Sequence, residues 1–319
     1  MGRLKMKRNE FYFLSADQKT EIHAVEWVPE GVPKAILQIS HGVTEHILRY
    51  EEMAEFFTKR GFVVAGNDHL GHGSSIAQGA EPMYFGPEDS WGWVESDMYT
   101  CQQLLKKRYP DIPCIVLGLS LGSFIVRTYL IQHPGEATAA ILAGTGQTPA
   151  LPLAMVRGIA KKEARKAGEE HSTPLIKELT FGTYNKQFAP NRTDFDWLCA
   201  SREGLDDYIA DPLRGEAMSA GLFREMLNGM IFTGNLKNQK KMDKDVPILL
   251  VSGQEDPVGD SGKGVKTTYR SLQKAGVKDI SMKLYPGLRH DIFLEDKRTD
   301  IFADMYDWIV KKSFPIPCV

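Results

Sequence analysis

Short strand-like runs alternate with amphipathic segments over most of this chain. Such runs of four to seven residues, rich in apolar side chains, occur in 1–144 and again in 246–319. This pattern predicts strands at 11–14, 22–28, 35–40, 62–67, 114–117, 139–143, 246–252 and 280–285, and helices at 50–60, 96–108, 124–130, 264–275 and 300–312. Because strands alternate with helices after an initial hairpin, we expect an α/β fold with a mostly parallel central sheet and helices on both faces.

Residues 145–245 interrupt this alternation, because they contain several helix signals and few strand signals. A structureless loop of this length would be unusual in a compact domain. We therefore predict a core domain formed by 1–144 and 246–319, and a helical cap insertion formed by 145–245. One predicted helix of the insertion repeats an apolar residue every four positions, at Met218, Leu222, Met226 and Met230. Most of this face is expected to pack inside the insertion, and a minority to line an acyl-binding cavity.

Charge and composition narrow the choice of partners and compartment. The formal net charge of the 319 residues is −2, without a charged run at either end, which argues against nucleic acid as a partner. No segment approaches the ~18 consecutive apolar residues of a membrane span, and the N-terminus lacks a secretory apolar stretch. The four cysteines, Cys101, Cys114, Cys199 and Cys318, occur singly, as expected for free thiols in a reducing compartment. We expect a cytoplasmic protein, with transient membrane or micelle contact through the cap still open.

The pentapeptide Gly118–Gly122 carries the clearest chemical signal. It lies between the strand at 114–117 and the helix at 124–130, so strand, tight turn and helix follow one another directly. In that context the turn presents Ser120 at the tip of the sheet, and the flanking glycines let strand and helix approach closely. The alternative is an ordinary glycine-rich turn with an exposed serine, so the interpretation depends on partner groups elsewhere.

Those partner groups are a base and an acid, since a serine hydroxyl is a poor nucleophile at neutral pH. In this topology they are expected after later strands, in the order Ser, acid, His. Asp256 follows the seventh predicted strand, and Pro257 fixes the turn after it; Glu255 is the runner-up. His290 follows the eighth strand and is the only one of eight histidines beyond the acid. We predict Ser120 as nucleophile, His290 as general base and Asp256 as the group that orients the imidazole.

Two backbone amides are candidates for stabilising the oxyanion of a tetrahedral intermediate. The N–H of Leu121 follows the nucleophile at the positive end of a helix. The second is the N–H of Val43, in the loop after the strand at 35–40, where Gly42 lets the loop bend close.

The segment Asp68–Ser75 contains an aspartate and two histidines but does not predict a metal site. Its spacing does not match a helical histidine pair, and no third ligand is evident. We expect a structural loop beneath the rim of the active site.

The candidate residues belong to six longer motifs: HGVTEHILRY (41–50), NDHLGHGSS (67–75), GLSLGS (118–123), DPLRG (211–215), SGQEDPVG (252–259) and GLRHDIFLE (287–295). Together they resemble the monoacylglycerol lipase and lysophospholipase branch of the α/β-hydrolase superfamily, grouped with the serine aminopeptidase type hydrolases. The resemblance implies the same triad and oxyanion donors, a cap over the acyl site and no cofactor. The chain departs from the family at Val43-Thr44, where a small residue and glycine are common, and in its longer cap.

We therefore expect a serine hydrolase that cleaves carboxylic esters, with monoacylglycerol or lysophospholipid as the leading substrate, through an acyl-serine intermediate. The alternative is a carboxylesterase acting on short or aromatic, feruloyl-type acyl esters. A peptidase is less favoured, because the cap shows no acidic pair that would bind an N-terminal amine. A non-catalytic binding module is also less favoured, because all three triad positions are filled.

Overall fold

A computed structural model describes residues 6–313 of the chain, so Cys318 lies outside the described residues. An eight-stranded sheet forms its centre, with strands in the order β1-β2-β4-β3-β5-β6-β7-β8. The strands are β1 (Lys7–Leu14), β2 (Glu21–Val28), β3 (Ala35–Ser40), β4 (Phe62–Asn67), β5 (Cys114–Leu119), β6 (Ala139–Ala143), β7 (Ile248–Gly253) and β8 (Ile280–Tyr285). The pairs β1/β2 and β2/β4 are antiparallel, and β3 to β8 are parallel. The predicted mostly parallel sheet is confirmed.

Ten helices are assigned within residues 6–313. They are α1 (Glu51–Thr58), α2 (Trp91–Arg108), α3 (Leu121–Gln132), α4 (Ala150–Ala167), α5 (Pro174–Thr180), α6 (Arg202–Ala210), α7 (Ala220–Gly234), α8 (Leu236–Gln239), α9 (Lys263–Ala275) and α10 (Arg298–Ser313). Short 3-10 turns cover Ile47–Tyr50 and Tyr184–Phe188. Side chains of α1 and α10 pack on one face of the sheet, and those of α2, α3 and α9 on the other.

Burial explains why the central strands appear as apolar runs in the sequence. Every residue of β3, β4, β5, β6 and β7 is buried, as expected where helices cover both faces of a parallel sheet. At the edge, β1 alternates exposed and partly buried residues. The face toward solvent there accounts for its weaker apolar pattern.

The helix α2 begins at Trp91, five residues before the predicted start at Ser96. The first turn contains Gly92, which weakens the local helix signal. Contacts from distant parts of the chain fix this turn: the Trp91 backbone N–H donates to Glu225 (3.2 Å), and its indole N–H donates to Thr128 (3.1 Å).

Between β6 and β7 the chain forms α4 to α8, without a strand in that part of the described chain. Helix α7 packs against α3 and α4, and its buried side chains join the large apolar cluster of the sheet instead of forming a separate one. The division into a core and a cap stays a prediction. No helix within residues 6–313 has the length and apolar character needed to cross a bilayer, and the cytoplasmic location likewise stays a prediction.

Candidate active site

The turn between β5 and α3 holds Ser120 in a conformation that L-residues rarely adopt. Its φ is +52° and its ψ is −116°, which costs on the order of 1–3 kcal/mol. The surroundings enforce this geometry: the Ser120 N–H donates to the Ala143 carbonyl at 2.9 Å. A Cβ on Gly122 would clash with the Ser40 carbonyl, and one on Gly118 would clash with the backbone of Gly122. Glycine is therefore required on both sides of the serine.

The structure brings together the three side chains that were predicted from different parts of the sequence. The distance from His290 Nε2 to Ser120 Oγ is 2.9 Å, and that from His290 Nδ1 to Asp256 Oδ1 is 2.9 Å. The second Asp256 oxygen accepts a hydrogen bond from the Ser252 hydroxyl at 2.9 Å. Glu255, the alternative acid, is exposed. This arrangement can transfer a proton from a serine hydroxyl to an imidazole.

Burial and charge act in opposite directions on the two titratable members of this group. Burial alone would lower the pKa of His290, but the carboxylates of Asp256, Asp291 and Glu45 hold that pKa above its ordinary value. Burial alone would raise the pKa of Asp256, but the nearby imidazole and the hydrogen bonds from His290 and Ser252 hold it below its ordinary value. The Asp256 carboxylate thus stays charged and favours Nδ1–H on the imidazole.

The loop after β3 and the first turn of α3 present the two predicted amide donors beside Ser120. Val43 lines the same cavity as Ser120, and Leu121 is the first residue of α3. Neither amide donates to an acceptor within residues 6–313. Glu45 stabilises the loop, because its buried carboxylate accepts hydrogen bonds from the Gly42 N–H and from the Tyr50 hydroxyl. The role of the Val43 and Leu121 amides as oxyanion donors stays a prediction.

The segment after β4 fixes this loop and shows no metal-binding geometry. The Asp68 carboxylate bonds the His23 ring at 2.8 Å. The rings of His41 and His69 lie 4.0 Å apart between centroids, with His72 beside them. Burial lowers the pKa of His69 to about 3 and that of His72 to about 4, so both are neutral at pH 7. No cluster of three metal-ligating side chains occurs in the part of the chain that the structure describes.

A cavity of about 590 Å³ opens over Ser120 and His290. One wall is apolar and comes mainly from the insertion: Leu153, Val156, Leu179, Phe181, Trp197, Met218, Phe223, Met226, Leu227 and Met230. Three of the four residues of the periodic face predicted in the sequence, Met218, Met226 and Met230, contribute to it, so most of that face lines the cavity and the expected minority is wrong.

The polar part of the cavity includes two carboxyl groups that the sequence analysis missed. Glu45 and Asp291 line it, and they also line an adjoining cavity of about 400 Å³. Burial and the Glu45 charge raise the pKa of Asp291 to about 7. The Arg49 guanidinium lies 3.7 Å from Glu45 and donates to Asp211 at 3.1 Å.

Comparisons with known proteins show which hydrolases this chain is similar to. Residues 31–297 match the family model described as "Serine aminopeptidase, S33". The monoacylglycerol lipase of Mycolicibacterium smegmatis is 28% identical over 290 residues, covering 89% of this chain and 91% of that protein. Human monoglyceride lipase is 25% identical, covering 90% and 86%. A thermostable carboxyl esterase from Bacillus coagulans, solved in complex with glycerol, superimposes with a TM-score of 0.88 at 26% identity, covering 97% and 99%.

Proposed function

The chain belongs to the serine aminopeptidase family of hydrolases, and we propose that it cleaves the ester bond of monoacylglycerols through an acyl-serine intermediate. Its relatives confirm the resemblance to the monoacylglycerol lipase branch of the α/β-hydrolase superfamily, and the chain is a carboxylic ester hydrolase. The observation that carries the proposed mechanism is the pair of 2.9 Å contacts that join His290 to Ser120 and to Asp256.

In the acylation step, Ser120 Oγ attacks the ester carbonyl carbon while His290 Nε2 accepts the hydroxyl proton. The carbonyl oxygen becomes an oxyanion that accepts hydrogen bonds from the N–H groups of Val43 and Leu121. The intermediate then expels the alcohol, which receives the proton from His290. Water repeats the sequence on the acyl-serine and releases the fatty acid. Asp256 stays ionised throughout and stabilises the imidazolium.

The cavity lining supports an acyl ester of a neutral polyol. Its apolar wall suits a hydrocarbon chain, whereas Glu45 and Asp291 near His290 offer acceptor oxygens to free hydroxyl groups. Neither carboxyl group offers a positive charge that would pair with a phosphodiester at that position. Monoacylglycerol is therefore favoured over lysophospholipid.

The outer face of α4 supports transient contact with a lipid surface. Leu151, Met155 and Ile159 repeat every four residues on α4 and are exposed, while Leu153 and Val156 of the same helix line the cavity. The C-terminal half of α4 is rich in lysine and arginine, which suits an anionic lipid surface. An ester entering from such a surface would reach the cavity along one helix.

A panel of esters tests the substrate assignment. Monoacylglycerols from acetyl to oleoyl, lysophosphatidylcholine, p-nitrophenyl esters of matched chain length, methyl ferulate and alanine p-nitroanilide are assayed with the wild type and Ser120→Ala. We expect kcat/KM to be highest for monoacylglycerols with longer acyl chains and to vanish in Ser120→Ala. Activity confined to the shortest or aromatic acyl groups would favour the carboxylesterase alternative, toward which the similarity to the Bacillus coagulans esterase also points.

A further inference from the structure

We infer that residues Asp196–Cys199 of the insertion, named here the strap, hold the catalytic base in place, with Trp197 as the positioning residue for the His290 ring. This inference rests on the proposed function, because it concerns how the proposed base is held. The strap lies between the 3-10 turn at Tyr184–Phe188 and α6. The strap belongs to the predicted cap, whereas His290 belongs to the predicted core.

Hydrogen bonds join the strap to both chain neighbours of His290. The Asp291 N–H donates to the Leu198 carbonyl at 2.7 Å. The Arg289 guanidinium donates to the Cys199 carbonyl at 3.2 Å and also to the Asp196 carbonyl. Because these bonds flank the histidine on either side in the sequence, the backbone that carries the imidazole is fixed by the strap.

The buried carboxylate of Glu295 connects the residues that follow the strap to the residue that precedes His290. Glu295 accepts hydrogen bonds from the N–H groups of Ala200 (3.0 Å), Ser201 (3.2 Å) and Arg289 (3.1 Å). One side chain therefore fixes both the end of the strap and the start of the histidine loop. Displacement of the insertion would break bonds on both sides of this carboxylate.

Trp197 contacts the imidazole itself. Its ring lies 5.4 Å from the His290 ring between centroids, tilted by 33°, and only 4% of its surface is exposed. Phe181 stacks on Trp197 at 5.4 Å between centroids, and the Trp197 backbone N–H donates to the side-chain oxygen of Asn185 at 2.9 Å. At another edge of the imidazole, a Cβ on Gly144 would come within 3.0 Å of Cε1. The ring is thus enclosed, and its tilt depends on the indole.

The experiment compares pH–rate profiles for p-nitrophenyl acetate, which is too short to depend on the acyl part of the cavity. In the wild type, burial lowers the pKa of His290. Because Trp197→Ala should admit water to the imidazole and remove part of this effect, we expect the apparent pKa of the acid limb to shift upward. The carboxyl groups that face His290, namely Asp256, Asp291 and Glu45, are unchanged in this variant. We expect kcat to fall by about tenfold to a hundredfold because the base is misplaced. In Trp197→Phe, both kcat and the apparent pKa of the acid limb should return close to their wild-type values.

Phe195→Ala is the matched control. Phe195 precedes the strap and packs on Tyr208 in the same apolar cluster, so its truncation weakens that cluster without removing a ring from His290. The apparent pKa should stay at the wild-type value in this control. Thermal melting is recorded for every variant, and Trp197→Leu, with the same expected direction, replaces the alanine variant if that one unfolds.

Two failures can be told apart. An unchanged apparent pKa in a folded Trp197 variant, or an equal shift in Phe195→Ala, would overturn the positioning role and leave the proposed function intact. Wild-type hydrolysis that persists in Ser120→Ala would instead overturn the proposed function, and the inference with it.

Discussion

At His290, rate and pH are linked through the charge of the imidazole. Only the neutral ring accepts a proton from Ser120, and the surrounding carboxylates, Asp256 foremost, hold the pKa of His290 above its ordinary value against the effect of burial. Protonation of the ring therefore persists to higher pH than in a free histidine. The acid limb of kcat/KM should lie above the ordinary histidine value of 6.5.

Asp256→Asn separates the charge of this residue from its shape. Without the carboxylate, the pKa of His290 should fall and the acid limb should move to lower pH, while kcat drops by about 10³- to 10⁴-fold because the imidazole loses its orienting partner. Glu255→Gln is the matched control, since Glu255 is the neighbouring and exposed carboxylate. Profiles from pH 5 to 9 with a soluble ester provide the measurement. A comparable loss in Glu255→Gln, or an acid limb that stays in place in Asp256→Asn, would contradict the assignment of the acid.

At the scale of single elements, α4 presents apolar side chains on two different faces. Leu153 and Val156 line the cavity, whereas Leu151 and Met155 are 74% and 67% exposed. Large apolar side chains in a row on one exposed helix face are typical of a contact surface. The proposed contact is with lipid, and it requires no change in the residues around Ser120.

The double variant Leu151→Ser/Met155→Ser tests the proposed contact of α4 with lipid. Burying each side chain in a lipid surface contributes at most about 1.5–3 kcal/mol, so sedimentation with anionic vesicles should weaken by about tenfold or more. Hydrolysis of soluble p-nitrophenyl acetate should be unchanged. Leu213→Ser is the control, because Leu213 is an exposed leucine outside α4. Equal vesicle binding by the double variant and the wild type would rule out this surface.

At the scale of the whole molecule, the features that could be predicted are those with a local signal. The turn at Ser120 follows from two glycines and an apolar strand, and the order of Asp256 and His290 follows from the topology. Contacts between distant segments could not be predicted: Trp91, at the start of α2, is fixed by Glu225, and His290 is covered by Trp197. No spacing rule connects such pairs, because tertiary packing alone brings them together.

We propose that Ser120 is the nucleophile and that His290 activates it. The most direct test is fluorophosphonate labelling followed by mass spectrometry of the peptides from the wild type, Ser120→Ala, His290→Ala and Ser123→Ala. Ser123 is the control within the same motif, since its hydroxyl donates to the Ser120 carbonyl at 2.6 Å. We expect one adduct on Ser120, retained in Ser123→Ala, absent in Ser120→Ala and formed far more slowly in His290→Ala. An adduct on another residue, or labelling of Ser120→Ala at the wild-type rate, would contradict the account.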